Sequence, residues 1–301
     1  MRLGLLCPGQ GDQTPAMFDS LAGQAAAAPV LDGAATLLGE PLGAIAPDRL
    51  VLNAVAQPAL CAYQLAIWQV LRPHLPDPCS LAGYSVGELA AHGCAGALAP
   101  EAVIALAARR AALMDAASAR AGGLMAVRGL RQTELEPLLA ARSCELAIIN
   151  DLDRLVVGGS TEELAALEGD LITRGAKVTP LKITIASHTS VMASAVEPFR
   201  RDLSAACWTA HEAPVVAGID ASMIRSKARA VETLAAQIAR PVDWSGCMTA
   251  LREAGCTVLL ELGPGNGLAR MVRDRFPDLP VRSVSEFRSI AGVIDWVQAA
   301  G

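Results

Sequence analysis

Gly83-Tyr84-Ser85-Val86-Gly87 forms a G-x-S-x-G pattern between a short apolar run and a helix-forming run from Glu88 to Ala91. A serine on a sharp strand-to-helix turn sits in strained backbone with its hydroxyl presented outward. Glycines two residues to either side let the chain turn tightly and let other groups approach. The helix that follows aims its N-terminal N–H groups and positive dipole end at the same spot, where negative charge would develop in acyl transfer. In a Gly- and Ala-rich chain the pattern alone is weak. Its weight comes from the partners that can join it.

A serine nucleophile needs a base. The chain has four histidines, so they can be weighed in turn. His74 lies in the Pro-rich turn LRPHLPDP and His211 in a turn before an apolar run. His92 rides the helix after the serine, about 10.5 Å along its axis at 1.5 Å per residue, too far for direct proton transfer. His188 ends the extended run ITIASH and is the candidate base. Cys94, a rival nucleophile, falls two turns into the same helix and reads as a core residue. A thioesterase or hydrolase built on the same elbow would carry an acid between serine and histidine. Asp151, Asp153 and Asp170 are the candidates for that role.

Three further segments offer groups to the site. Pro8-Gly9-Gln10-Gly11-Asp12-Gln13 is a Gly-rich loop directly after an apolar strand, at the edge of an α/β sheet where ligands bind. It lacks the phosphate-binding glycine patterns. The N–H of Gln10 is a candidate half of an oxyanion hole; the bland reading is an ordinary strand-to-helix turn. Gln57 either points into the site or caps a helix. Arg109 and Arg110 sit side by side in a strong helical pattern over 100–117; either both are solvated or one turns inward as a carboxylate clamp, since guanidinium binds carboxylate bidentately and keeps its charge.

The elements that must hold these residues read as α/β. Of 301 residues, 52% are hydrophobic and 3% aromatic, enough for a large core built from Ala, Val, Leu and Ile. Arg2–Cys7 is a buried first strand, and a helix spans 53–71 with Pro58 near its start. Helices are also expected over 231–239 and 268–276, the second opened by Gly263-Pro264-Gly265. Strand, Gly-containing loop and helix alternate as in a parallel, doubly wound sheet. From 124 to 182 the texture changes to short strands alternating with two helical runs, near 134–141 and 162–174, a ferredoxin-like α+β insert. The expected fold is therefore an α/β-hydrolase-like parallel-sheet core of residues 1–122 and 184–301, with a ferredoxin-like subdomain of residues 123–183.

Net charge is −5, with a sequence pI near 5.5, which argues against nucleic acid as a partner. No apolar run is long enough to span a membrane, and the N-terminus lacks a signal-peptide pattern; a cytoplasmic protein is expected. The eight cysteines show no metal-ligand spacing and read as small core hydrophobes, so no metal is expected.

Taken in order, PGQGDQ (8–13), AQPAL (56–60), GYSVGE (83–88), RRAALM (109–114), VVGG (156–159), SH (187–188), RPVDW (240–244) and ELGPG (261–265) resemble the malonyl-CoA:acyl-carrier-protein transacylases over nearly the whole chain. The resemblance implies a malonyl transfer from malonyl-CoA to a carrier thiol. In it Ser85 is the acylated nucleophile, His188 its base, Gln10 and Val86 the oxyanion-hole donors, and Arg110 the site for the malonyl carboxylate. Arg110 is favoured over Arg109 because Leu113-Met114 follow it at the family's offset. Gln57 and Tyr84 would line the substrate pocket. The family uses a Ser–His dyad whose imidazole is oriented by a backbone carbonyl, here expected around Val242-Asp243. No cofactor of its own is implied, because the acceptor thiol is a prosthetic group of the carrier.

Two departures stand out. Tyr84 replaces the family's usual histidine, and Asp243 stands where Asn or Gln is common. The elbow wording GYSVGELAAHGCAGAL and the tail RSVSEFRSIAGVIDWV are most similar to the transacylase (epsilon) subunit of bacterial malonate decarboxylase, which implies a dedicated carrier subunit as acceptor. The fatty-acid-synthesis carrier is the alternative.

Overall fold

The computed structural model describes residues 1–118 and 120–300. In chain order the first half runs β1 (Leu3–Cys7), α1 (Ala28–Leu38), α2 (Asn53–Leu71), β2 (Ser80–Gly83), α3 (Gly87–Cys94) and α4 (Pro100–Ala117). Next come β3 (Gly122–Arg128), α5 (Gln132–Ala141), β4 (Glu145–Asp151), β5 (Arg154–Ser160), α6 (Thr161–Thr173) and β6 (Lys177–Pro180). The remainder is α7 (Ala193–Ala205), β7 (Val215–Val216), β8 (Met223–Ile224), α8 (Lys227–Gln237), β9 (Val242–Asp243), α9 (Trp244–Glu253), β10 (Val258–Glu261), α10 (Gly267–Arg275), β11 (Val281–Ser283) and α11 (Ile290–Ala299).

Two sheets result. The larger has the order β11-β10-β1-β2-β7-β8 and is parallel except at β7–β8. Its central strands are apolar on both sides, as a sheet covered by helices on both faces requires. Alternate residues go to opposite faces. Leu3, Leu5 and Cys7 of β1 pack into the core with α2, α3 and α4, while Leu6 packs with α9 and α10.

The smaller sheet has the order β6-β3-β5-β4-β9. Its first four strands come from the strand–helix–strand–strand–helix–strand run of residues 122–180, a ferredoxin-like arrangement. Leu135 and Leu139 of α5 and Leu164, Leu167 and Leu171 of α6 cover one face. The fifth strand, β9, comes from the later part of the chain and pairs in parallel with β4, Ile148 opposite Val242 and Ile149 opposite Asp243. That pairing ties the two sheets together beside the serine.

Two local expectations change. α2 begins at Asn53, so Pro58 is inside it rather than at its start. The missing N–H removes one bond to Ala54 O, and packing compensates: nearly every residue of α2 is buried between α1, α3 and α4. Cys207 is exposed rather than core. Among the described residues no helix is long and apolar enough to cross a membrane.

Candidate active site

The elbow is set by backbone contact. Ser85 has φ 55°, the left-handed region that a non-Gly residue occupies at a cost. A Cβ on Gly83 would lie 2.1 Å from Glu88 N, and one on Gly87 would lie 2.0 Å from Cys7 O. Neither position admits a side chain: at Gly83 the first turn of α3 folds back on the end of β2, and at Gly87 α3 starts directly against the end of β1. Ser85 itself is half-buried, with its Oγ open to a cavity of about 130 Å³ between the two sheets. That leaves room for a small group beside the hydroxyl.

His188 is placed to act as a base. Its Nε2 lies 2.8 Å from Ser85 Oγ, and it too has a left-handed backbone, φ 63°. The ring is held by the C-terminal end of α8. Its Nδ1 donates to Gln237 O at 2.7 Å, and its backbone N–H donates to Ile238 O at 2.9 Å. The last carbonyls of a helix have no intrahelical partner and carry the negative end of the dipole, so they both orient the imidazole and favour its protonated form during transfer.

The orienting carbonyl is therefore Gln237 O, not one from Val242-Asp243. Those two residues are used otherwise. Val242 and Asp243 form β9, and the Asp243 carboxylate caps α9 by accepting from Gly246 N at 2.8 Å. Ahead of Pro241, the end of α8 is where free carbonyls must occur. That was the available signal.

Arg110 is buried and Arg109 is not. Arg109 pairs at the surface with Asp202 at 2.8 Å. Arg110 shares the inward stripe of α4 with Val103, Ala107 and Met114 and makes all its side-chain hydrogen bonds to neutral groups. Nη1 donates to Gln57 Oε1 at 2.8 Å, and Nη2 lies 3.4 Å from both Ser85 Oγ and Gln237 Oε1. Gln57 is thus inside the site rather than capping α2. Burial lowers Arg110 to about 10, against the raising effect of Cys61 and Glu88, so it stays a cation at neutral pH. A buried cation held only by neutral oxygens is short of a carboxylate.

Burial and then the Arg110 charge push His188 down to about 3, opposed by the Gln237 carbonyl. The imidazole is neutral, with Nε2 free to accept the serine proton, through the whole physiological range.

The loop after β1 lies against the elbow. A Cβ on Gly9 would come 2.7 Å from Tyr84 O, and Gln64 Nε2 fixes the loop by donating to Pro8 O at 2.7 Å. The Gln10 side chain donates to Asn53 Oδ1 at 3.1 Å. Among the described residues the backbone N–H groups of Gln10 and Val86 have no acceptor in the chain, which leaves both available to an oxyanion. Tyr84 forms part of the cavity wall. Its ring meets Trp244 edge-on at 5.4 Å between centroids, and its hydroxyl donates to Asn150 Oδ1 at 3.1 Å.

The remaining sequence candidates fall elsewhere. Asp151 pairs with Arg275 at 2.7 Å, Asp170 with Arg142 at 2.8 Å, and Asp153 lies in the β4–β5 turn. None reaches His188 Nδ1, whose acceptor is a carbonyl. His92 is buried against His211, Nδ1 to Nε2 at 2.9 Å, and Cys94 is buried in α3. Gln237, Asn53 and Asn150 were not singled out from sequence. Polar residues at inward positions of otherwise apolar elements were the signal for the last two.

Residues 5–291 match the acyl transferase domain family. The chain belongs to this family. Among its relatives, the malonyl CoA-acyl carrier protein transacylase of Mycobacterium tuberculosis is 32% identical over 94% of this chain and 96% of its own length. The protein of the same name from Synechocystis is 29% identical over 95% and 98%. Among solved structures, the acyl-carrier-protein S-malonyltransferase of Burkholderia pseudomallei superposes with a TM-score of 0.92 at 27% identity, covering 98% of this chain and 100% of that one. A malonyl-transacylase in complex with a type II polyketide-synthase acyl-carrier protein also gives 0.92, at 25% identity over 98% and 99%. These acyl transferase structures share the α/β fold described above.

Proposed function

We propose that the chain transfers a malonyl group from malonyl-CoA to the thiol of an acyl carrier protein through a malonyl-Ser85 intermediate. The observation that carries this reading is the buried Arg110 guanidinium beside the Ser85 hydroxyl. A three-carbon acyl group on that oxygen brings its distal carboxylate to the cation. The relatives of this chain bear malonyl transacylase names, which supports the same acyl group.

His188 Nε2 takes the Ser85 proton as Oγ attacks the thioester carbonyl. The oxyanion rests on the Gln10 N–H of the loop after β1 and the Val86 N–H at the start of α3. When the tetrahedral adduct collapses, the C–S bond breaks and His188 returns the proton to the departing CoA sulfur, leaving malonyl-Ser85. The carrier thiol then gives its proton to His188, attacks the ester carbonyl and expels Ser85 Oγ, which recovers the proton. No acid is needed behind the histidine, since Gln237 O fixes its tautomer. Arg110 favours malonyl over acetyl because an acetyl group leaves the buried cation without its counter-charge, at about 2–5 kcal/mol.

For the acceptor we assign the carrier subunit of malonate decarboxylase, on the wording of the elbow and of the C-terminal tail. A fatty-acid carrier is the second reading, since relatives of this chain are named for transfer to an acyl carrier protein. Transfer of radiolabelled malonyl from malonyl-CoA to the two carriers, side by side, tests the assignment. Faster loading of the decarboxylase carrier supports it, and faster loading of the fatty-acid carrier replaces it with the second reading. Release of free malonate with neither carrier loaded would indicate a thioesterase.

A further inference from the structure

Glu88 follows Ser85 by three residues in the first turn of α3 and is wholly buried. The acyl-transfer steps make no use of it. Its Oε2 accepts from Gly218 N at 2.8 Å and from Gln237 Nε2, while Oε1 has no partner. A buried carboxylate with an empty oxygen is costly, and its location behind the site gives it work to do.

Gln237 meets the site through three atoms. Its backbone O anchors His188, its Oε1 faces Arg110 Nη2 at 3.4 Å, and its Nε2 is on Glu88. A side-chain amide accepts at one end and donates at the other, whereas a carboxylate only accepts. With Glu88 ionised, the NH₂ end must turn toward it, which leaves Oε1 for Arg110. The amide turned over would set NH₂ against the guanidinium, donor against donor, and oxygen against carboxylate.

We propose that Glu88 is a positioning residue that fixes the orientation of the Gln237 amide and thereby holds Arg110 beside Ser85 for the acyl carboxylate. This rests on the roles given above to Ser85 and Arg110.

The protonation of Glu88 then matters. Facing it are Arg110 from α4, Gln237 from α8, Gly218 N and Asp220 after β7, and the Cys247 thiol from α9. Burial lifts Glu88 to about 8; Gly218 N, Gln237 and the Arg110 charge oppose the lift, and Asp220 adds to it. A protonated Glu88 keeps an accepting oxygen but loses its charge, so it holds the Gln237 amide less strongly. Arg110 is therefore held best above that pH, and malonylation should rise as pH passes through about 8.

The test measures pre-steady-state acylation of the full chain by malonyl-CoA and by acetyl-CoA, for the wild type, Glu88→Gln and Glu88→Met. Glutamine keeps an acceptor but cannot ionise, so Glu88→Gln should keep the malonyl/acetyl ratio within about twofold and lose the rise near pH 8. Methionine removes the acceptor, so Glu88→Met should lower the ratio about tenfold, through malonyl binding and with acetylation little changed. A ratio unchanged in Glu88→Met, or a rise near pH 8 that survives in Glu88→Gln, overturns the proposal. Should Glu88→Met fail to fold, the pH profile of Glu88→Gln decides alone. Labelling of wild-type Ser85 by malonyl-CoA is read in the same experiment, so failure of the malonyl assignment is distinguishable from failure of the Glu88 role.

Discussion

Arg110 Nη2 lies 3.4 Å from Ser85 Oγ, so the fixed positive charge of the site stands at the nucleophile itself. This contact links two segments far apart in sequence, the elbow at the end of β2 and the inward stripe of α4. On the function proposed above, it would select an acyl group that carries its own anion. The same charge also adds to burial in lowering His188.

Replacing Arg110 with alanine should lower acylation by malonyl-CoA about 10²–10³-fold, the equivalent of a few kcal/mol for removing one partner of a buried charged contact. Acetylation should change little. The ratio of the two rates is the measurement, and an unchanged ratio would move the clamp to another residue.

The pH profile of acylation should show no inflection near 6.5, the ordinary value for histidine, because burial and Arg110 hold His188 at about 3. In Arg110→Ala the cationic neighbour is gone, so the imidazolium becomes cheaper to form and the acid limb moves upward in pH. Burial remains, so the limb should stop short of 6.5. Stopped-flow acylation between pH 4 and pH 7 checks both statements. A wild-type limb near 6.5 would contradict a His188 held low by burial and Arg110.

Two glycines offer a contrast in stability. A Cβ on Gly87 would lie 2.0 Å from Cys7 O, and one on Gly33 in α1 would meet nothing within 4 Å. Gly87→Ala should cost about 3 kcal/mol or prevent folding, and Gly33→Ala should add about 0.5–1 kcal/mol through helix propensity. Urea denaturation of both variants measures this. Equal midpoints would contradict the packing of α3 against β1.

How much of the site could be read from sequence depended on where each constraint lies. The elbow was legible because its glycines flank the serine at fixed spacing, although the contact that demands glycine at 87 is with Cys7 O of β1, far away in sequence. The choice between Arg109 and Arg110 was made by family resemblance, yet the 103–107–110–114 spacing of the buried stripe of α4 contained the same answer. The partner of His188 was misplaced by five residues or more, from Gln237 to Val242-Asp243. A backbone carbonyl has no side-chain signature, and which one is free depends on where α8 ends. β9 was not visible as part of the smaller sheet, because a two-residue strand that pairs across the chain has no periodicity to detect. Glu88 was read as helix-forming; its burial follows from the depth of α3 between the sheet and Gly218, which is a tertiary fact.

Covalent malonylation of Ser85 is the central step of the proposed reaction. Intact-mass and peptide-mapping spectrometry after brief incubation with malonyl-CoA, without a carrier, tests it most directly. The predicted result is one malonyl adduct, on the peptide containing Ser85, absent from Ser85→Ala and discharged when a carrier thiol is added. An adduct on any other residue, or one that persists in Ser85→Ala, would contradict the account.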